Sequence, residues 1–428
     1  MATEKKAANE AQSWTDRLTG WMEKMAPFFD QPHLASVRDG LVALMPLLII
    51  GAFSLLILQF PIQGWLDYLD GNPGLSDKIW VFFNMTYGLL SPFAALAIAY
   101  NLARRRSLDP LMPASLSLLA FITVASPIIG AWGSGGLPGT YFDGSGLFTA
   151  ILVALFTVEI YRFFVSRNLV ITMPAQVPPA IANAFVALVP GTLVLAFVWL
   201  VRVILNIDVA DGVRQGLALI IPAVSSYPAA ALAETFHAFL WTLGIHGDLT
   251  IGIVLQPVWT ANLAENAQTV AAGGSAANIY TSIFRSYVVP GGSGATLPLA
   301  FYLMRSKVAR LRRVGWLGFW PGIFNINEPI TFGTPVIFNP VLAIPFIIIT
   351  FLNVTVAWLA TASGLVNVPY IEAPWTLPAP ILMYLATGYD VRAIVLAILT
   401  EFVIPGVIWY PAFKAWERMV IAKEGVGD

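Results

Sequence analysis

The stretch that decides the fold is residues 41–60, LVALMPLLIIGAFSLLILQF. It carries no charge, and about 20 predominantly apolar residues are enough to cross the hydrocarbon of a bilayer as a helix. Comparable runs recur at 79–102, 111–131, 147–165 and 182–205, and again at 233–255, 297–311, 340–361 and 393–413. Polar residues break the 233–255 run, and 297–311 is short. Between them lie 221–231, 277–291, 316–333 and 375–385, which are too apolar for loops and too short or too rich in Gly and Pro for ordinary spans. Such pieces are expected as re-entrant hairpins, tolerated at membrane depth only where protein or a watery cavity satisfies their backbone.

Composition agrees. Of 428 residues, 57% are hydrophobic and 11% charged, and the mean hydropathy is +0.75. A soluble chain carries about 25% charged residues, so this one must face a lipid bilayer. A net charge of -1 without a basic stripe excludes a nucleic-acid partner. There is no cysteine and only His33, His237 and His246, which excludes disulfides and a catalytic thiol and leaves no metal site or other cofactor to expect. Residues 1–31 are polar, with Trp14, Leu18, Trp21, Met22 and Met25 at helical spacing. They read as an amphipathic helix on the membrane surface or packed on the cytoplasmic face, not as a cleaved signal.

Lys and Arg in short loops set orientation. Arg104–Arg106, Arg162 and Arg167, the 305–313 group and Lys414, Arg418 and Lys423 mark one side. The acidic loop 61–78 and the stretch 126–146, which lacks Lys and Arg, mark the other. Both termini are therefore expected in the cytoplasm. Arg202 and Arg214 depart from this alternation, either snorkelling to an interface or flanking a helix that lies flat. Up to Ile207 the chain reads as regular scaffold helices; beyond Asp211 it is broken by Gly, Pro and buried polar groups, so function is expected there.

In WTLGIHGDL (241–249), His246 sits in an apolar run between Gly244 and Gly247. An ionisable group at membrane depth marks a site or pathway, and the glycines allow close approach of a ligand. The alternative is a buried His satisfied by a carbonyl. In PGIFNINEPITFGTPVIFNP (321–340), Asn325, Asn327 and Glu328 lie on backbone broken by Pro329 and its neighbours. That favours binding or proton acceptance over a carboxylate capping a half-helix. VPGGSGATL (289–297) brings Gly292, Ser293 and Thr296 to a turn with free N–H groups, suited to a hydroxyl-rich or anionic ligand. Trp375, in APWTLP (373–378), offers a rigid aromatic face for a sugar or stands in an interfacial belt. His237, in AETFHAF (233–239), reads as structural, and His33 as an anchor of the first span.

These motifs together resemble the IIC component of the lactose, cellobiose and N,N'-diacetylchitobiose family of phosphotransferase permeases. The likeness rests on QPHLASVRDG (31–40) followed by MPL, on RNLVITMPAQVPPAIANAFVALVPG (167–191), and on GIHG, GGSGATL and NEPITFG followed by NP, in that order. It implies an all-α polytopic membrane protein of the bacterial cytoplasmic membrane, with about ten transmembrane helices, two re-entrant hairpins and both termini cytoplasmic. It further implies a segment 1–32, a scaffold and homodimerisation half 33–210, a sugar-binding half 211–413 that moves as a body, and a tail 414–428. The implied activity is import of a β-linked disaccharide, coupled to phosphorylation of its 6-hydroxyl by the phospho-cysteine of a partner IIB subunit, itself fed by IIA. The family's functional His and Glu fall on His246 and Glu328, and its stacking Trp on Trp375. The absence of cysteine fits a phospho-cysteine carried on another chain. The alternative is a proton- or cation-coupled secondary sugar transporter, with Glu328 and His246 carrying protons.

Overall fold

A computed structural model of the chain describes residues 31–424 other than 126–138, 140, 175, 219 and 335. The surface helix expected within 1–31 and the end of the 111–131 run fall outside the described residues. Among those described, all regular structure is helical, with no strand.

Helix starts follow local chemistry. Pro32, Pro73 and Pro340 stand at first helical positions, where a missing N–H costs nothing. Side chains of Gln31, Asp208, Asn339 and Asp390 accept from the free N–H groups of the first turns they precede. Among the described residues, six helices are long and apolar enough to cross a membrane: Pro32–Leu58, Pro73–Arg105, Gly144–Ser166, Ile181–Ile204, Pro340–Ala362 and Val391–Lys423. Counting the bent pair Val209–Val224 and Tyr227–Thr242 as one span makes seven.

Several runs read as single spans are cut instead. The 233–255 run divides into Tyr227–Thr242 and Gly247–Ala271, because Gly244 takes a left-handed φ of +80° and His246 begins a new helix. The 297–311 run yields only Leu297–Leu303 before a turn at Ser306, held by Glu417 (Ser306 Oγ to Oε1 2.7 Å). The 316–333 piece is not a separate hairpin. Its first part completes Ala309–Ile323, and a turn then leads into Glu328–Gly333.

Unwound segments find their hydrogen bonds in buried amide side chains. Asn266 accepts from the N–H groups of Ala277 and Asn278 and donates to the carbonyls of Asn278 and Pro369. Asn262 donates to Tyr280 O, and Asn353 to the carbonyls of Val288 and Thr400. Both amides sit on long helices and reach irregular or π-wound backbone that lipid could not satisfy.

Small residues set helix spacing. Ala94, Ala95, Ile98, Ala99, Leu102 and Ala103 form a buried face of Leu90–Arg105, and Pro32–Val42 packs on it through Gly40. A Cβ at Gly40 would lie 2.7 Å from Ile98 Cα. Large apolar side chains such as Phe53, Phe82, Met85, Leu188 and Val407 point outward, as a lipid-facing surface requires.

Three of the arginines expected on one side, Arg105, Arg106 and Arg162, are held by two carboxylates. Asp39 pairs with Arg38 and Arg105, and Glu159 pairs with His33, Arg106 and Arg162. His33 thus anchors the first span to Gly144–Ser166, while Gln31 caps it. Arg202 bonds Val124 O and Asp208, and Arg214 bonds Asp211, so both exceptions are locally paired.

Gly40→Ala should force the first helix off Leu90–Arg105 and lower stability by about 1–3 kcal/mol, as overpacking does. Gly64→Ala, where nothing lies within 4 Å, should not. Thermal unfolding in detergent reads both, and equal melting points would contradict this packing.

Candidate functional site

The break at 243–246 and the turn at 324–327 are brought together. Phe338 N–H donates to Thr242 O at 2.9 Å, closing the loop after Glu328–Gly333 onto the end of Tyr227–Thr242. Trp241 lies between the two, its ring 4.5 Å from the His246 ring and 6.3 Å from Phe332. His246 begins the Gly247–Ala271 helix, its Nδ1 accepting weakly from Leu249 N–H at 3.3 Å, and its ring is exposed. Gly247 is required there. A Cβ would lie 2.5 Å from His237 O and 2.9 Å from Trp241 Cδ1.

Glu328 is exposed at the start of its short helix, and no hydrogen bond or ion pair engages it among the described residues. Its neighbours are fully committed. Asn327 is buried, and its amide donates to Ser293 O at 2.6 Å and Thr296 Oγ1 at 2.9 Å. Asn325, at φ +64°, accepts from Gly291 N–H and donates to Trp375 O and Leu377 O. The Glu328 turn is therefore pinned to both the glycine loop and the Trp375 loop.

The glycine loop fits only because it lacks side chains. Gly291, Gly292 and Gly294 all have positive φ, and a Cβ at Gly292 would lie 2.4 Å from Asn327 Cγ. Ser293 sits at its tip. Its Oγ lies 3.4 Å from Asp248 Oδ2 and 3.3 Å from His237 Nε2. Trp375 is 50% exposed, its backbone held and its ring free.

Of the residues singled out in the sequence, His246, Glu328 and Trp375 have exposed side chains on these linked loops, while Ser293 is buried with its hydroxyl on His237 and Asp248. Asn325 and Asn327 spend their donors on the frame, Thr296 accepts from Asn327, and Gly292 supplies clearance. The sequence reading passed over an ionic group behind this surface. Arg285 donates to Glu234 (2.6 Å) and Asp248 (2.8 Å) and lies over the Trp259 ring at 4.6 Å. Tyr280 donates to Glu234 at 2.8 Å. His237, read as structural, is buried with Nε2 3.1 Å from Asp248. The signal was present: Arg285 is the single charge in the apolar piece 277–291, and the cost of a charge at membrane depth marks such a residue.

The arrangement offers an exposed carboxylate, an exposed imidazole, a hydroxyl and a free indole face, all on broken backbone. Comparisons with known proteins show the family. The family model described as "Phosphotransferase system, EIIC" matches residues 38–350. A putative permease IIC component, YwbA, of Bacillus subtilis is 37% identical, the alignment covering 91% of each chain. The PTS system cellobiose-specific EIIC component of Geobacillus stearothermophilus is 36% identical over 92% of each. The crystal structure of the transporter ChbC, the IIC component of an N,N'-diacetylchitobiose-specific phosphotransferase system, superposes with a TM-score of 0.88 at 32% identity, covering 95% of this chain and 98% of that one. This chain, a helical polytopic membrane protein, belongs to the phosphotransferase system EIIC family.

Proposed function

We propose that the chain is the sugar-translocating IIC subunit of a bacterial phosphotransferase system, importing a β-linked disaccharide of the cellobiose, diacetylchitobiose or lactose type. The observation that supports this reading is that Ser293 ties together the two helix breaks that carry His246 and Glu328, with no hydrogen bond or ion pair on Glu328 among the described residues. Glu328 accepts the 6-hydroxyl proton as that oxygen attacks phosphorus. The S–P bond of the phospho-cysteine on IIB breaks, the O–P bond forms, and the thiolate leaves. General-base assistance of this kind contributes about 10²–10⁴-fold. His246 orients the hydroxyl or meets charge on the transferring phosphoryl group. Trp375 stacks on the sugar's C–H face, and Ser293 is placed to bond a further hydroxyl. Asn325, Asn327, Thr296 and Gly292 shape the pocket.

In this reading the chain has about ten spans and two hairpins in the bacterial cytoplasmic membrane, with both termini inside. Residues 33–210 form a dimerising scaffold against which 211–413 moves. Among the contacts that join these parts, which include apolar packing of Ala264, Ala267, Tyr370 and Ile371 into the scaffold core, two groups of hydrogen bonds lie near opposite ends of the first span. Arg38 donates to Leu249 O at 3.2 Å, beside His246. At the far end, Tyr370 pairs with Gln59 and Tyr389 donates to Leu56 O. Translocation would exchange one group while keeping the other.

Reconstituted with phosphorylated IIB, the protein should convert external cellobiose or diacetylchitobiose to internal sugar phosphate, with no requirement for an ion gradient. Uptake of free sugar driven by a proton gradient would overturn the reading. Glu328→Gln should cut sugar-phosphate yield by about 10²–10⁴-fold while calorimetry still detects sugar binding; an unchanged yield would remove Glu328 from the reaction. Trp375→Ala should weaken binding by about 1–3 kcal/mol, by analogy with base–aromatic stacking, and an unaltered titration would leave it as an interfacial residue.

A further inference from the structure

Behind the exposed groups lies a buried ionic cluster with no role in the chemistry proposed above. Glu234, from Tyr227–Thr242, is fully buried. Arg285, from the short Arg285–Val288 helix, is 13% exposed and bridges Glu234 to Asp248 at the start of Gly247–Ala271. One guanidinium therefore ties together three separate pieces of chain. A fully buried carboxylate, Glu234, and a nearly buried arginine are costly to assemble, so the cluster is not explained as a source of stability.

Its geometry points at the site. Asp248 Oδ1 is held by Arg285, which leaves Oδ2 facing the pocket walls. There Oδ2 receives Trp241 Nε1–H at 3.4 Å and lies 3.4 Å from Ser293 Oγ and 3.1 Å from His237 Nε2. Trp241 in turn packs on the His246 ring at 4.5 Å. His246 and Asp248 flank Gly247, whose close approach to His237 and Trp241 leaves that turn no freedom. Ser293 O is the acceptor for Asn327, the residue before Glu328. The path from Arg285 to the His246 and Trp241 wall runs through Asp248, while the Ser293 loop is met both by Asp248 and by His237, which lies 3.6 Å from Glu234.

We infer that Arg285 is a positioning residue. By fixing Asp248 it sets the His246 and Trp241 wall of the site and the Ser293 loop opposite in one register. Arginine is suited to this because its planar fork serves two carboxylates at once, which a lysine ammonium on a flexible stem cannot reproduce. The inference deepens the proposed function and rests on it, since the groups positioned are those assigned to the sugar.

The chain's three histidines make the test direct. In protein carrying ¹³C-labelled histidine, His246→Gln and His237→Gln assign the ring signals. His33, paired with Glu159 and Arg106, reports that the fold is intact. Arg285→Lys should move the His246 signal and leave that of His33 in place. Asp248→Asn, which keeps side-chain shape, should do the same and carries the test if the lysine variant fails to fold. With phosphorylated IIB and sugar, both variants should lose about 10²-fold in kcat, as misplacement of a reacting group by an ångström can cost, with KM changed by less than about threefold, the mark of an interaction expressed in the transition state. A stationary His246 signal in folded variants, or a loss confined to KM, would overturn the inference. Absence of sugar phosphate from the unmodified protein would instead sink the proposed function, and the histidine signals alone would then decide the positioning.

Discussion

A peptide group that leaves a helix inside a bilayer has no water to bond, and each one left unpaired costs several kcal/mol. That constraint governs the polar part of this molecule. The chain unwinds at 243–246, 272–284, 289–296, 324–327 and 363–378, and amide side chains stand at every one of these breaks but the first. Asn266 serves the segment after its own helix, Asn353 reaches a π-wound turn, and Asn325 and Asn327 together stitch three loops. Removing such an amide would orphan several backbone groups at once, so these asparagines are as much a part of the fold as the apolar faces.

The same economy explains how an open polar site persists in a lipid-facing protein. The frame consumes the amides and the backbone, leaving Glu328, His246 and the Trp375 ring available at the surface of the break. Glycines at 291, 292 and 294 let the loop lie against Asn327 and Phe346 without side chains of its own. Behind the site, buried charge is gathered in the Glu234, Arg285 and Asp248 cluster, where each carboxylate meets the guanidinium. Rigid support behind exposed reactive groups is what proximity and preorganisation demand of a site that acts on a hydroxyl.

Much of this was legible in the residues alone. Runs such as 147–165 and 340–361 read correctly because one property, uninterrupted apolarity over a bilayer's thickness, determines them. The 233–255 run misled because its apolar residues continue through Gly244 and His246, and hydropathy does not register a reversal in backbone hand. The site motifs could be named from isolated polar groups in apolar surroundings. Which of them faces a ligand could not. Asn325 and Glu328 look alike as polar interruptions and differ only in what distant loops do with them. Arg285 was missed for the opposite reason: it stands alone in its segment, and its partners lie 37 and 51 residues away in the sequence.

The account turns on one oxygen atom. A structure of the protein with cellobiose or diacetylchitobiose bound would locate the sugar's 6-hydroxyl. The account places that oxygen within hydrogen-bond distance of both the Glu328 carboxylate and the His246 imidazole, with the ring over Trp375. A sugar lodged elsewhere, for instance in the cavity lined by Asp77, Trp80, Asn84 and Asp143, with its 6-hydroxyl remote from Glu328, would contradict it.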